Sequence, residues 1–316
     1  MNMGRRLPSL SIWIFVAEIL ARTALAGDAP AGLDAEKIGQ TVGVKATTVA
    51  DGVVRIAWPR DDVKVTIDGV PFAPYAGLGS WAAFKWTGSE AMVMGDTVVF
   101  QDEVDMAMSF AFQNGLEVTG LHNHFFYDEP KVFFMHIGGH GDPIKLATGV
   151  KAVWDAIRTV RAQQAEPAKQ FAGDGIKVGK VDPEPIEKML GQKSESKDGI
   201  VKVTIGRKGM MHGVEVGGSM GLTTWAAFTG TNENAVVDGD FIMSANEVQA
   251  VLRTLRVGGF HIVALHNHMI GEEPAFYFTH FWGKGTTERL AQVLKAALDE
   301  QGKAAAQNQP AMTDHK

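Results

Sequence analysis

The chain of 316 residues contains no cysteine. That absence excludes disulfides, thiolate metal sites, cysteine nucleophiles and cysteine-linked lipid anchors. Any metal chemistry must then rest on histidine and carboxylates. Positive charge is also short, with 30 Lys plus Arg against 36 Asp plus Glu and a net charge of −6. No global positive field of the kind that sequence-independent nucleic-acid binding requires is present, so nucleic acid is excluded as the expected partner. Long apolar runs are missing too. The longest, Leu10 to Leu20, is broken by Glu18 and falls short of the roughly 20 residues a spanning helix needs, so no membrane span is expected. Apolar material is otherwise plentiful: 45% hydrophobic residues, with 17 Phe and 7 Trp, suffice for one large core or two ordinary ones.

The N-terminus reads as an export signal. Arg5 and Arg6 precede the apolar run, and Ala24-Leu25-Ala26 supplies a small-x-small cleavage site. Residues 1–26 are expected to be removed, leaving a periplasmic or extracellular protein that starts at Gly27.

Laid against itself, the chain repeats. Gly77-Leu78 and Trp81-Ala82-Ala83-Phe84 return as Gly221-Leu222 and Trp225-Ala226-Ala227-Phe228, an offset of 144 residues. The same offset relates Gly95-Asp96 to Gly239-Asp240, Glu103-Val104 to Glu247-Val248, and Leu121-His122-Asn123-His124 to Leu265-His266-Asn267-His268. Between positions 76–141 and 220–285 there are 24 ungapped identities, far beyond chance. The period is too long for a solenoid, so this is a duplicated domain. The division is 27–161 for the first repeat, a Gln-, Lys-, Gly- and Pro-rich linker over 162–185, 186–302 for the second repeat, and a polar tail over 303–316.

Within each repeat, alternating segments at Val53–Trp58, Val63–Ile67, Trp81–Trp86 and Met92–Val99 predict strands. A helix opens near Asp102 and stops at Asn114-Gly115, and its copy runs from Ser244 to Val257 before Gly258-Gly259. A hairpin, Leu116–Phe126 and Val132–Ile137, and a helix from Pro143 to Val160 follow. The expected fold class is α+β: two tandem homologous domains, each a mainly antiparallel sheet with two helices. Trp81, Trp225, Phe84 and Phe228 are expected in the core.

The chemistry is expected at His122, His124 and His136, and at His266, His268 and His280. Residues two apart in a strand share a face, which puts His122 beside His124. A turn centred on Pro130 then places His136 directly opposite His124, and Pro274 does the same for His280 and His268. Three imidazoles on one face suit zinc with a position left open, and two diverged copies that both keep all three weigh against ordinary packing histidines. Glu129 and Glu273, at matching turn positions, are candidates for a fourth ligand or a general base. His140 in the first copy is a candidate fourth nitrogen that would close that site. An apolar wall is expected from Phe126 and Phe134, or from Ile270 and Phe278.

Contiguous His-Asn-His differs from the dispersed HNH nuclease motif, and neither copy has the Ser-x-x-Asp of a JAB-type metalloprotease. A cupin would place its His-x-His in a β-barrel, which the helices oppose. The segments Gly-Leu-Thr-Thr-Trp-Ala-Ala-Phe, Ala-Leu-His-Asn-His-Met and Glu-Glu-Pro-x-Phe-Tyr-Phe-Thr-His-Phe-Trp-Gly resemble the bacterial LppY/LpqO family, also known as domain-of-unknown-function family 1259. That resemblance spans nearly the whole mature chain and implies export and duplication, with no established activity. At greater distance, the trihistidine hairpin is similar to that of acetolactate decarboxylase and the PPC domains, where one zinc sits on three histidines. The analogy extends to metal and transfers no substrate. The functions in competition are a zinc-dependent hydrolase or lyase acting on a small carbonyl substrate, a non-catalytic metal or small-ligand binding protein, and an envelope protein whose histidines only pack.

Overall fold

The computed structural model describes residues 32–173, 175–176 and 179–307. The export signal expected over 1–26 and the tail beyond 307 lie outside them. The first repeat runs α1 (Ala35–Val42), β1 (Ala46–Thr48), β2 (Val54–Pro59), β3 (Val65–Ile67), β4 (Val70–Phe72), β5 (Gly79–Trp86), β6 (Ala91–Phe100), α2 (Val104–Gln113), β7 (Glu117–His122), β8 (Asp128–Glu129), β9 (Val132–Gly141) and α3 (Pro143–Gln163). The second follows the same order: α4 (Pro183–Leu190), β10 (Ser194–Lys197), β11 (Ile200–Gly206), β12 (Gly209–Met211), β13 (Val214–Val216), β14 (Thr223–Gly230), β15 (Ala235–Ser244), α5 (Val248–Val257), β16 (His261–His266), β17 (Glu272–Glu273), β18 (Phe276–Gly285) and α6 (Thr287–Gln307).

Local signals set these elements. Asp34, Asp142 and Asp182 cap α1, α3 and α4 by accepting backbone N–H bonds, and Pro143 and Pro183 occupy the first helical turns where no N–H is needed. Asp68-Gly69 and His212-Gly213 turn β3 into β4 and β12 into β13, with all four residues at positive φ. Each repeat therefore has three helices rather than two. The first is short, and its copy begins inside the segment read as a linker, while α6 continues through part of the expected tail to Gln307.

The two repeats contribute to one antiparallel sheet of twelve strands, in the order β1-β2-β5-β6-β9-β7-β16-β18-β15-β14-β11-β10. At its centre β7 pairs with β16 through Leu121 and Leu265, which are each other's counterparts at the offset of 144 residues. A pseudo-two-fold axis therefore passes through this seam. The helices cover one face with a continuous core drawn from both repeats, including Leu121, Ala107, Trp154, Leu252, Leu265 and Leu294. On the other face each repeat carries a small sheet, β4-β3-β8 or β13-β12-β17, over a lesser cluster around Phe134 or Phe278. Phe84 and Phe228 are buried as expected, whereas Trp81 and Trp225 are half-buried under Arg55 and Lys202.

Across the seam the copies are not equal. On α5, Gln249 bonds both the N–H and C=O of Val118, and Arg253 donates to the carbonyls of Phe112 and Leu116. Arg256 pairs with Asp105 at 2.9 Å, and His261 contacts the same carboxylate.

The hairpin register departs from the sequence expectation. His136 stands opposite Gly120 and Phe134 opposite His122, and likewise His280 opposite Ala264 and Phe278 opposite His266. The chain after each His-bearing strand does not fold straight back: it detours through β8 or β17 to pair with β3 or β12. A hairpin centred on the proline would have put His136 against His124, which lies beyond the end of β7.

Candidate metal centre

A β-bulge aims the histidines. In β7 the register with β9 shifts between Val118 and Gly120, and β16 shifts against β18 between Ile262 and Ala264. One extra residue reverses the alternation, so Val118 and Leu121 both face the helical core while Gly120 and His122 face the other side. Without the bulge His122 would point into the helices. His124 and His268, in the loops after the strands, return by stacking on the buried Phe134 and Phe278, with ring centroids 3.4 and 3.5 Å apart. The intervening asparagine fixes each loop: Asn123 donates to the carbonyl of Phe125 at 3.0 Å and Asn267 to that of Met269 at 2.8 Å.

The result in the second repeat is a compact donor set. One ligand atom each from Asp240, His266 and His268 lies within 4.8 Å of the others. His266 Nε2 and His268 Nε2 are 3.1 Å apart, and His268 Nε2 is 3.2 Å from Asp240 Oδ2. Bonds of ~2.0–2.1 Å in a tetrahedron give edges of about 3.3 Å, close to both of these distances. His280 joins from β18, its ring 5.0 Å from that of His266. Its Nδ1 faces the Gly239 carbonyl at 3.2 Å. A carbonyl only accepts, so Nδ1 carries the proton and Nε2 is left as the free lone pair.

In the first repeat, Asp96 on β6 pairs with His136 on β9, and the His136 and His122 rings lie 4.9 Å apart. Their Nε2 atoms are 2.8 Å from each other, a direct imidazole–imidazole hydrogen bond.

Electrostatics and unmet valence both favour a cation. Burial lifts the Asp96 carboxyl above its ordinary range, opposed by the three imidazoles around it. Burial lowers His124, with His122 adding to the effect, and burial likewise lowers His266 although Asp240 opposes it. Lowered imidazoles stay neutral, the form that binds metal. Asp96 Oδ1, Asp240 Oδ1 and His266 Nδ1 are buried without hydrogen-bond partners. Each such group costs ~1–3 kcal/mol when unsatisfied, which a bound ion at the carboxylates would offset.

Asp96 and Asp240 are candidate donors that the sequence reading does not include. Their signal in the sequence is the repeated Gly-Asp pair, Gly95-Asp96 and Gly239-Asp240. The glycine has its own reason: a Cβ at Gly239 would lie 2.2 Å from Phe281 Cζ and 2.4 Å from the Trp225 carbonyl. Glu129 and Glu273 are exposed on β8 and β17, opposite Thr66 and Met210. Their neighbours are the buried ones: Asp128 accepts from the Val132 N–H at 2.6 Å and Glu272 from that of Phe276 at 2.8 Å, closing each loop. His140 is exposed and sits four residues farther along β9 than His136, about 13 Å by strand rise, so it closes no site. Phe126 and Ile270 are exposed at the loop tips, leaving Phe134 and Phe278 as the apolar wall.

The family model described as Domain of Unknown Function (DUF1259) matches residues 36–156 and again 184–300. The chain belongs to the DUF1259 family. Its two matched segments carry the two histidine centres, one in each. No curated protein matches this DUF1259 chain. Among solved structures, it is similar at 12% identity to a trimeric bacterial microcompartment shell protein, PduB, over 88% of this chain and 94% of that one, with a TM-score of 0.21. A double ringed trimeric shell protein from the RMM microcompartment matches at 12% identity over 70% of this chain and 84% of its own, with a TM-score of 0.19. At those scores neither supplies a template for fold or function.

Proposed function

We infer that this DUF1259 chain is an exported metal protein whose Asp/His centres take a zinc-like divalent cation and act on a small carbonyl compound as a hydrolase or lyase. The observation that carries the reading is the Asp240–His266–His268 set, whose 3.1 and 3.2 Å donor spacings match tetrahedral coordination. A divalent cation there supplies Lewis acidity toward a carbonyl or a water. His280, with its proton held on Nδ1 by Gly239, completes the nitrogen set. Phe278 offers an apolar wall against which a substrate can shed water. Glu273, exposed on β17 in the connection between the two His-bearing strands, is the carboxylate whose part in proton transfer the assay below tests.

Non-catalytic metal or ligand carriage is the second reading. It is favoured by the donor set holding a single carboxylate, Asp240, which as a ligand is not free to act as a base. Turnover decides between them. Tag-free mature protein is assayed for bound metal by mass spectrometry and then for hydrolysis of small esters and lactones and for decarboxylation of β-keto acids. The enzymatic reading expects chelation to abolish turnover and Glu273→Gln to lower it by about a hundredfold with metal retained. Stoichiometric metal with no turnover supports carriage, and no metal refutes both.

A further inference from the structure

The segment that follows α3 is pinned at two points, one on each repeat. The Ala168 N–H donates to Asp102 Oδ2 at 3.0 Å, and the same carboxylate meets Arg161. Three residues on, the Phe171 ring lies flat against His261, with centroids 3.6 Å apart and planes 16° from parallel. His261 is held in turn by Asp105, which Arg256 also pairs at 2.9 Å. Beside this strap lies a cavity of about 370 Å³, lined among others by Gln101, Asp102, Lys169, Phe171, Trp282 and Lys284. Small-molecule sites span ~300–1,000 Å³.

Trp282 and Lys284 come from β18, whose register with β15 is unbroken. Phe281 turns into the helical core, and a Cβ on Gly283 would meet Phe260 and Leu290 of that core. His280, Trp282 and Lys284 therefore share the opposite face, the one that carries the second histidine centre. The first repeat has no such wall: at the offset of 144 residues, Glu117, Gly138 and His140 stand where His261, Trp282 and Lys284 stand in the second. The lining selects a ligand. Two aromatic side chains supply apolar surface. The charge of Asp102 is matched by Arg161, whereas neither Lys169 nor Lys284 has a carboxylate partner among the described residues, which leaves the cavity with net positive charge.

We propose that this cavity binds a small aryl carboxylate, its ring against Phe171 and Trp282 and its carboxylate on Lys284 and Lys169. The site is independent of the metal reading. Calorimetry on the tag-free mature chain, as purified and again in chelator, compares 3-phenylpropionate with 3-phenylpropanol and acetate. One equivalent of the aryl acid should bind about tenfold or more tightly than the alcohol or acetate, in chelator as well. Lys284 is exposed, so Lys284→Met should keep the fold, checked by a thermal scan, and lose the preference for acid over alcohol. Trp282→Ala should weaken both aryl ligands about tenfold, the scale of one buried ring. His140→Ala, at the equivalent place in the first repeat, should change neither. Equal affinity for acid and alcohol would overturn the recognition of a carboxylate. Acid binding that survives both Lys284→Met and Trp282→Ala, that disappears in chelator, or that never saturates would overturn the cavity as its site.

Discussion

The first and second centres keep the same four residue types and differ in what surrounds them. In the first, Phe125 packs edge-on against Phe72 at 5.0 Å and near Phe134 at 6.1 Å, and His122 and His136 are bonded to each other. In the second, Met269 and Val216 stand where Phe125 and Phe72 stand in the first, and the close imidazole pair is His266 with His268 at 3.1 Å, with Asp240 3.2 Å from His268. The difference teaches that the four residue types survive a change of wall from aromatic to aliphatic, while the pair of imidazoles that meet most closely changes with it.

The largest effect expected is on metal content. His266→Ala with His268→Ala should remove the second ion and leave the first, halving the metal per chain measured by mass spectrometry. Unchanged content would mean that the first centre holds all the metal and that the comparison runs the other way. Loss of a site filled at 100 times its dissociation constant also forfeits about 2.7 kcal/mol of folding stability, which a thermal scan with and without zinc reads out.

Next in size is a buried ion pair that both repeats contain. Arg60 and Glu103 are fully buried and bonded through two 2.8 Å contacts, and Glu103 also accepts the Phe100 N–H at 2.8 Å. Burial raises the Glu103 carboxyl above its ordinary range despite Arg60. The corresponding Arg207 is 27% exposed, and although burial works to raise Glu247, Arg207 and the Ser244 N–H hold it below that range. Arg60→Ala should therefore cost about 3–5 kcal/mol, the usual loss when one partner of a buried pair is removed. Arg207→Ala should cost well under that, and urea denaturation of the two variants compares them directly.

A third comparison concerns the glycines before the aspartates. Gly239→Ala forces a Cβ to within 2.2 Å of a ring carbon, whereas at Gly95 the nearest atom, the Trp81 carbonyl, is 2.8 Å away. Overpacking typically costs about 1–3 kcal/mol, and the second repeat should sit at the upper end. Equal shifts in melting temperature would show that the Phe281 ring simply swings aside.

The smallest effect separates α4 from α1. Glu187 is held down to about 2 from an ordinary value of 4.5, chiefly by the Ser194 N–H, with Lys193 and the Ser194 hydroxyl adding to it. At the equivalent place on α1 stands Gly39, packed against the backbone of Val44 and Ala46. A depressed carboxylate contributes stability above its unfolded pKa and loses it as pH falls through the folded one. The stability difference between wild type and Glu187→Gln should thus be constant above about pH 5 and fade between there and pH 2. A difference that persisted at pH 2 would assign the effect to packing.

Legibility in the sequence followed the range of each interaction. The duplication, the α+β class and most strands were readable because period-2 alternation and repeated identities are local properties. Residues such as Asn123 and Asp96 were visible and yet unassigned, because their partners are set by a loop detour and by strand order. The bulge at Thr119 and its copy could not be read, since it shows only as a change of register between two strands. Helices α1 and α4 were missed because eight residues carry too little periodicity to stand out beside the Pro-rich segment.

The pair joining Leu121 to Leu265 makes each repeat one half of a single sheet. Two identical copies meeting edge to edge at this strand would make every contact there in matched pairs. In this chain they are unmatched: Arg256 and Phe112, or Gln249 and Asp105, occupy equivalent positions and make different contacts. Either half expressed alone would present a bare strand edge and an uncovered apolar helix face, with no identical partner able to supply the missing arginines or the missing aspartate.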